Sequence, residues 1–348
     1  MDPISSILPF NLFPASPSRL GKGFAVRRGN SLNLRVANLP FRGAVLDLGS
    51  NTFKLLLAEQ SGTTLHVHHE KAYPVRLGEG VALTRRIRPA TCRRALRQIT
   101  LLQRKIRAFH PDQVVAVGTG TLRRAANAKS FLLPASRILG KRISLLSGHE
   151  EGRLISLASR QLTRKKSPRF HIDLGGGSLE VIDSLRPARP EIVSLNLGCV
   201  AVRDSLLPHH PPPPKEWDQA VDTIRKALLK IPRPSASTQA TFSGGTGHTY
   251  ACLLSGKNRK ARRLEGFPLT LPHLERLLMK VRPLTLRQLR HLPGMPVDRA
   301  PIALSAFLVL RETMRRLHLS SVRLTTHGLR YGLWLARLAP RPVRKVVR

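Results

Sequence analysis

The sequence predicts an α/β protein of two domains, each built on a sheet, with a cleft between them. Three observations carry that reading. The stretch from Phe170 to Ile182, F-H-I-D-L-G-G-G-S-L-E-V-I, reads as two short strands joined by consecutive glycines, so that backbone N–H groups can approach a ligand directly. An earlier stretch, A-V-L-D-L-G-S-N-T-F-K-L-L-L from Ala44 to Leu57, repeats the strand, the Asp-Leu-Gly turn and the returning strand. Two such hairpins imply two half-sites facing one cleft. A chain of 348 residues is too long for one ordinary core, and its 41% hydrophobic content can fill two.

Composition narrows the ligand without choosing it. The chain has 59 Lys+Arg against 20 Asp+Glu, a formal net charge of +39, which attracts polyanions such as nucleic acid, polyphosphate or acidic lipid. Because the basic residues are scattered, a generally arginine-rich surface explains the excess equally well, and nucleic acid is expected to bind only non-specifically. No apolar run is long enough to span a bilayer, so no membrane partner is expected. Acid scarcity says more. Asp47, Glu79, Glu150, Glu151, Asp173 and Glu180 fall in or near glycine-marked turns in a chain with few carboxylates. The cysteines Cys92, Cys199 and Cys252 are isolated, which indicates neither a disulfide framework nor a zinc site and fits a reducing cytoplasm.

Taken in order, residues 1–40 carry Pro, Ser and Arg with Asp2 as their only acid, and read as a disordered leader. A transit peptide or an over-long start has the same composition. The first hairpin follows, with T-L-H-V-H-H-E-K as a third strand. Thr91 to Ala108 places Ala95, Ile99, Leu102 and Ile106 at helical spacing. Val114 to Val117 is a strand entering the turn G-T-G-T, with a helix from about Leu122, and strand, glycine turn and helix start together make an anion site in which Arg123 can take part. Arg142 to Leu146 is a strand leading to S-G-H-E-E-G-R, where Ser147 and Glu150 have the spacing of a capping box. Glu150 therefore has a structural task and Glu151 does not.

Beyond an R-K-K-S-P-R linker and the central hairpin, E-I-V-S-L-N-L-G-C-V-A-V-R is a further alternating strand ending in a glycine turn at Gly198. H-H-P-P-P-P from His209 is a surface connection, and Trp217 to Ile231 a helix expected to pack on the second sheet. A third glycine cluster, S-G-G-T-G, joins a strand to a helix from Thr241 to Leu254. Helices are read at Leu271 to Val281, Pro301 to Leu317 and Gly328 to Leu338, with a strand at Val322 to Thr325. The basic tail, 340–348, reads as frayed.

This order of motifs resembles the exopolyphosphatase and guanosine pentaphosphate phosphatase (Ppx/GppA) family. The resemblance is carried by D-L-G-S-N-T-F-K-L-L-L, V-R-L-G-E-G-V, G-T-G-T-L-R-R-A-A-N-A-K-S-F-L, S-G-H-E-E-G-R-L-I, I-D-L-G-G-G-S-L-E-V-I and S-L-N-L-G-C-V. More weakly, S-G-G-T-G and H-G-L-R-Y-G-L also match. It implies two actin-like (ribonuclease H-like) domains, the first from 41–154 with 328–339 and the second from 155–327. Its departures are Pro301 and Tyr331, each where an acid is common in the family.

By resemblance, Glu151 is the catalytic glutamate, and Asp47, Asp173 and Glu180 are the carboxylates of a metal-binding cleft that takes Mg2+ or another divalent cation. Gly49, Ser50, Asn51, Thr119, Arg123 and the turn Gly175, Gly176, Gly177 and Ser178 are its phosphate-binding residues. The implied activity is hydrolysis of the terminal phosphoanhydride of inorganic polyphosphate, with guanosine pentaphosphate as the alternative substrate and a homodimer as the family-level assembly. A catalytically idle polyanion-binding protein and a phosphotransferase are the readings of other classes.

Overall fold

The computed structural model describes residues 40–162, 168–186, 188–234, 239–257, 259 and 261–348. The expected leader and most of the linker before Phe170 lie outside these residues. Residues Leu39–Arg348 cluster as one compact unit. Its first half holds β1 (Phe41–Leu48), β2 (Thr52–Ser61), β3 (Thr64–Pro74), α1 (Val81–Thr84), α2 (Pro89–Phe109), β4 (Gln113–Gly118), α3 (Gly120–Arg124), α4 (Lys129–Leu139), β5 (Ile143–Leu145) and α5 (Gly148–Leu162). The second half holds β6 (Phe170–Leu174), β7 (Leu179–Asp183), β8 (Glu191–Leu195), α6 (Cys199–Leu206), α7 (Pro214–Leu228), β9 (Ala240–Ser243) and α8 (Gly245–Ser255). It continues through β10 (Pro268–Thr270), α9 (Leu271–Val281), α10 (Leu286–His291), α11 (Ala300–Arg316), β11 (Ser321–Leu324), α12 (Leu329–Arg337) and β12 (Lys345–Val347).

The strands form two six-stranded sheets, in the orders β12-β3-β2-β1-β4-β5 and β10-β11-β9-β6-β7-β8. Both follow one plan. An antiparallel meander, β1 to β3 or β6 to β8, has its first strand paired in parallel with β4 or β9, which in turn pairs in parallel with β5 or β11. The plan puts the two glycine turns at equivalent places, at the carboxyl ends of β1 and β6.

The central strands read as near-continuous apolar runs because both faces are covered. Ala44, Leu46 and Leu48 of β1 join the core under α2 and α4, where Ile99, Leu102 and Phe131 are buried. Val45 faces the other way, into a cluster with Ile155 of α5 and Trp334 of α12. Asp47, the one acid of β1, shares that second face by alternation. The second sheet and the helices α6 to α11 enclose a separate cluster around Phe170, Ile172, Phe242 and Phe307. No helix among the described residues is long and apolar enough to cross a membrane.

Several expectations hold and others need correction. The capping box forms: Ser147 Oγ accepts from Glu150 N at 3.1 Å and the Ser147 N–H donates to Glu150 Oε2 at 2.7 Å. The helix expected from about Leu122 is instead two, because Ala125 leaves helical geometry with ψ of 120° before α4 begins. α7 packs mainly on α11 and α6 rather than directly on the second sheet. The C-V-A-V-R stretch after Gly198 is helix α6, whose amide end docks on the glycine turn. The tail is not frayed: Lys345, Val346 and Val347 pair in parallel with Thr64, Leu65 and His66, making β12 the edge of the first sheet.

Candidate active site

Each glycine hairpin closes on one amide, Gly49 N–H on Thr52 O or Gly175 N–H on Ser178 O, and is otherwise held by its carbonyl groups, which leaves the amides at its tip available. In the second turn the Cys199 N–H donates to Gly175 O at 3.0 Å, and the Val200 and Ala201 N–H groups donate to Gly176 O at 2.9 and 3.2 Å. Because a trans peptide sets its N–H opposite its carbonyl, the N–H groups of Gly176 and Gly177 turn away from α6. The first turn is tied the same way, with Gly78 N–H on Ser50 O at 2.7 Å and both the Val75 and Arg76 N–H groups on Asn51 O at 2.9 Å. That second set explains the V-R-L-G-E-G segment, whose backbone braces the hairpin. Glu79 itself points elsewhere, 3.5 Å from Arg88.

The two turns face and touch each other. A Cβ built on Gly176 would lie 3.0 Å from the Asn51 nitrogen, and one on Gly177 would lie 2.5 Å from Ser50 Oγ. Gly198 presses on the same turn so closely that its Cβ would sit 2.3 Å from the Gly177 carbonyl carbon and the Ser178 nitrogen. These contacts leave room for hydrogen alone. The G-T-G-T turn after β4 does not act as a free helix terminus, since α3 has five residues and its Thr121 N–H is taken by Ser50 Oγ at 3.1 Å. It buttresses the first hairpin instead.

A cleft of about 960 Å³ opens over these turns, lined by Asp47, Gly49, Ser50, Asn51, Thr119, Glu151, Asp173 and the Gly175 to Ser178 turn. Nearly all the residues singled out from sequence are thus brought together. Two are not on the wall. Arg123 clamps Glu151 from behind, with its Nη1 donating to Glu151 Oε2 at 2.7 Å and to Leu146 O at 2.6 Å. Glu180 is fully buried opposite Asp173, with Oε1 accepting from Ser194 Oγ at 2.8 Å.

Burial dominates the electrostatics here. Glu151, only 7% exposed, has its pKa raised to about 7 by burial, assisted by the charges of Asp47 and Asp173 and opposed by Arg123. Asp47 is also raised by burial, against the pull of Lys54, 3.6 Å away, and of Arg330. Glu180 is raised further, by burial and then by Glu151 and Asp173. Its carboxyl meets the Ser194 and Ser178 side chains behind the turn, off the cleft wall. Asp173 accepts a short hydrogen bond from Ser243 Oγ. Ser243 lies 2.9 Å from His171 Nε2, and His171 Nδ1 lies 2.8 Å from Thr241 Oγ1, a buried relay across β6 and β9.

Asp47 and Asp173 fit a divalent cation. Asp47 Oδ1 is buried with no hydrogen-bond partner among the described residues, and the Asn51 amide nitrogen is in the same condition. An unmet acceptor and an unmet donor on one cleft wall suit a cation and a phosphate oxygen. No cluster of three or more metal-ligating side chains occurs among the described residues. A cation here would thus take two carboxylates and complete its shell with water and phosphate oxygens, the habit of Mg2+.

Sequence reasoning missed the cations of the wall. Lys54, Lys71, Arg299, Arg330 and Arg348 all line the cleft, and Arg299 lies against Gly245 at the start of α8. Lys54 was legible in principle as a base inside a hairpin. The other cations come from segments distant in sequence, among so many basic residues that no local signal marks them.

A model of the Ppx/GppA phosphatase family matches residues 56–340 of the chain. Among solved structures, the Aquifex aeolicus PPX-GPPA enzyme is similar at 24% identity over 84% of this chain and 98% of that one, with a TM-score of 0.70. An exopolyphosphatase from Cytophaga hutchinsonii aligns at 22% identity over 84% and 96%, with a TM-score of 0.73. At these identities the structures establish a shared fold, and the family match adds what the fold alone does not.

Proposed function

The chain belongs to the Ppx/GppA phosphatase family and is a phosphoanhydride hydrolase; from that premise we propose that it is an exopolyphosphatase, removing the terminal phosphate of inorganic polyphosphate. One observation carries the reading: Glu151, buried and poised near neutrality, lines the cleft where the two phosphate-cradling turns meet. Phosphoryl transfer asks mainly for positioning and charge neutralisation. The N–H groups of Gly176 and Gly177, with Asn51 and Ser50 opposite, hold the terminal and neighbouring phosphates. Glu151 orients a water in line with the terminal phosphorus and accepts its proton. The new P–O bond forms as the bridging P–O bond breaks, and the shortened chain leaves with the electron pair. Arg123 keeps the Glu151 carboxylate in place through the 2.7 Å bond. A divalent cation held by Asp47 and Asp173 would neutralise phosphate charge when bound.

The cations along the cleft wall favour a linear polyanion over a nucleotide. We assign the protein to the cytoplasm on the same reading. Orthophosphate release from long-chain polyphosphate, compared with release from guanosine pentaphosphate, tests it. Faster turnover of polyphosphate is the expected result, and release from the pentaphosphate alone overturns the substrate assignment.

A further inference from the structure

Strand β12 brings a second charged group to the cleft wall. The N–H groups of Arg344 and Lys345 donate to Thr63 O at 2.7 and 3.2 Å, and the parallel pairing with β3 then carries the chain to Arg348. There a single carboxylate, Glu70, organises three side chains. Arg330 Nη2 donates to Glu70 Oε1 at 2.9 Å, Tyr331 donates its hydroxyl proton to Oε2 at 3.0 Å, and Arg348 Nε lies 3.3 Å from Oε2. Arg348 also donates from Nε and Nη2 to the Tyr331 oxygen at 3.2 and 3.0 Å.

The cluster is built rather than decorative. Tyr331 is fully buried, and the side chains of Arg330, Arg348 and Glu70 are only 14%, 16% and 16% exposed. Burial pushes the Tyr331 phenol well above its ordinary range, so it stays neutral. Two guanidinium groups stand directly on one carboxylate, with Glu265, itself bonded to Thr326, acting on Arg348 from farther off, and the arginine charge that Glu70 does not take up acts on a half-dry wall more strongly than in water. The hydrogen bonds use Nη1 and Nη2 of Arg330 and Nε and Nη2 of Arg348. Arg330 Nε and Arg348 Nη1 take no part in them, and both residues line the cleft, as does Glu70.

The register relates this cluster to the reaction centre. Lys54 stands opposite Ala72 and Leu56 opposite Glu70, so Lys54 and Glu70 share one face of the β2–β3 ladder, with Lys54 nearer the first glycine turn. Cations therefore lie at successive depths along one wall, first Lys54 beside Asp47 and then the arginine pair. We propose that Arg330 and Arg348, held by Glu70, form a second anion subsite for phosphates behind the scissile one, so that the cleft selects linear polyphosphate long enough to reach β12. The proposal rests on the phosphohydrolase reading for its substrate, though not for its binding chemistry.

The test uses the full chain with Arg348→Ala and Arg348→Glu, because β12 pairs through its backbone and tolerates a changed side chain at that position. The readout is the ratio of kcat/KM on long-chain polyphosphate to kcat/KM on tripolyphosphate. Loss of one charge-assisted contact is expected to lower that ratio about tenfold, more for Glu than for Ala, with Arg348→Lys recovering part of it. A cluster that only pins α12 and β12 to the sheet would lower both values together; an unchanged ratio overturns the proposal. If the wild type releases phosphate from neither substrate, the hydrolase reading fails instead. The subsite is then judged by direct titration with long-chain polyphosphate, where equal affinity of wild type and Arg348→Ala overturns it.

Discussion

Glu151 has to be buried enough to hold a proton near neutral pH and still face water. The fold achieves both by placing it in the first turn of α5, its outer neighbour Glu150 absorbed by the capping box, while Arg123 grips one carboxylate oxygen. The sequence showed this division of labour, since the capping spacing assigned Glu150 and left Glu151 without a structural task. Replacing Glu151 by Gln is expected to lower kcat about 10²- to 10⁴-fold while polyphosphate still binds, as steady-state kinetics and a binding titration would show. The wild-type kcat should rise through pH about 7 and level off above it, a limb that the variant lacks. Stability moves the opposite way. A carboxyl whose folded pKa lies above its unfolded value near 4.5 binds its proton more tightly in the native state, so wild-type stability falls as pH rises from about 4.5 to about 7 and is flat beyond. Gln cannot ionise, and the stability of Glu151→Gln relative to wild type should therefore increase from pH 5 to pH 8, by up to about 3 kcal/mol. Denaturant unfolding at the two pH values measures it; a constant difference would sink the claim that burial sets this group's charge.

At the scale of the element, the two glycine hairpins are useful because other backbone segments fix their peptide planes. α6 holds one by the amides of Cys199, Val200 and Ala201, and the loop before α1 holds the other by those of Val75, Arg76 and Gly78. Gly198 is the tightest of these contacts, and its φ of −64° shows that space, not backbone conformation, requires glycine there. Gly198→Ala is thus expected to displace Gly177 and Ser178, lowering kcat/KM by about 10²-fold and stability by roughly 1–3 kcal/mol. Kinetics and thermal unfolding read the two effects separately. Retained activity would mean that the second turn is not positioned by α6. The hairpins were legible in the sequence because strand, Asp-Leu-Gly and returning strand are all local. Their bracing was not, because it joins residues more than twenty positions apart through backbone atoms that carry no side-chain signature.

For the whole molecule, the +39 formal charge acts through the few cations that reach the cleft. With Lys54, Lys71, Arg299, Arg330 and Arg348 on the wall, log KM for long-chain polyphosphate should rise against log salt with a slope of about 3 to 4, and for tripolyphosphate with a shallower one. A slope near zero for the long chain would mean that the wall does not hold the polyanion. The tail shows why total charge misled: 340–348 looked like a solvated basic run, yet its backbone pairs with the edge of β3 and its last arginine meets a half-buried acid. The sequence by itself determined the α/β class, the two hairpins, the capping box and the glutamate left over from it, because each is set by spacing within a few residues of chain. Only the tertiary structure decided that Arg123 grips Glu151, that Glu180 sits behind the turn, and which cations reach the cleft. Those outcomes depend on burial and on the meeting of distant segments, and neither is encoded in local spacing.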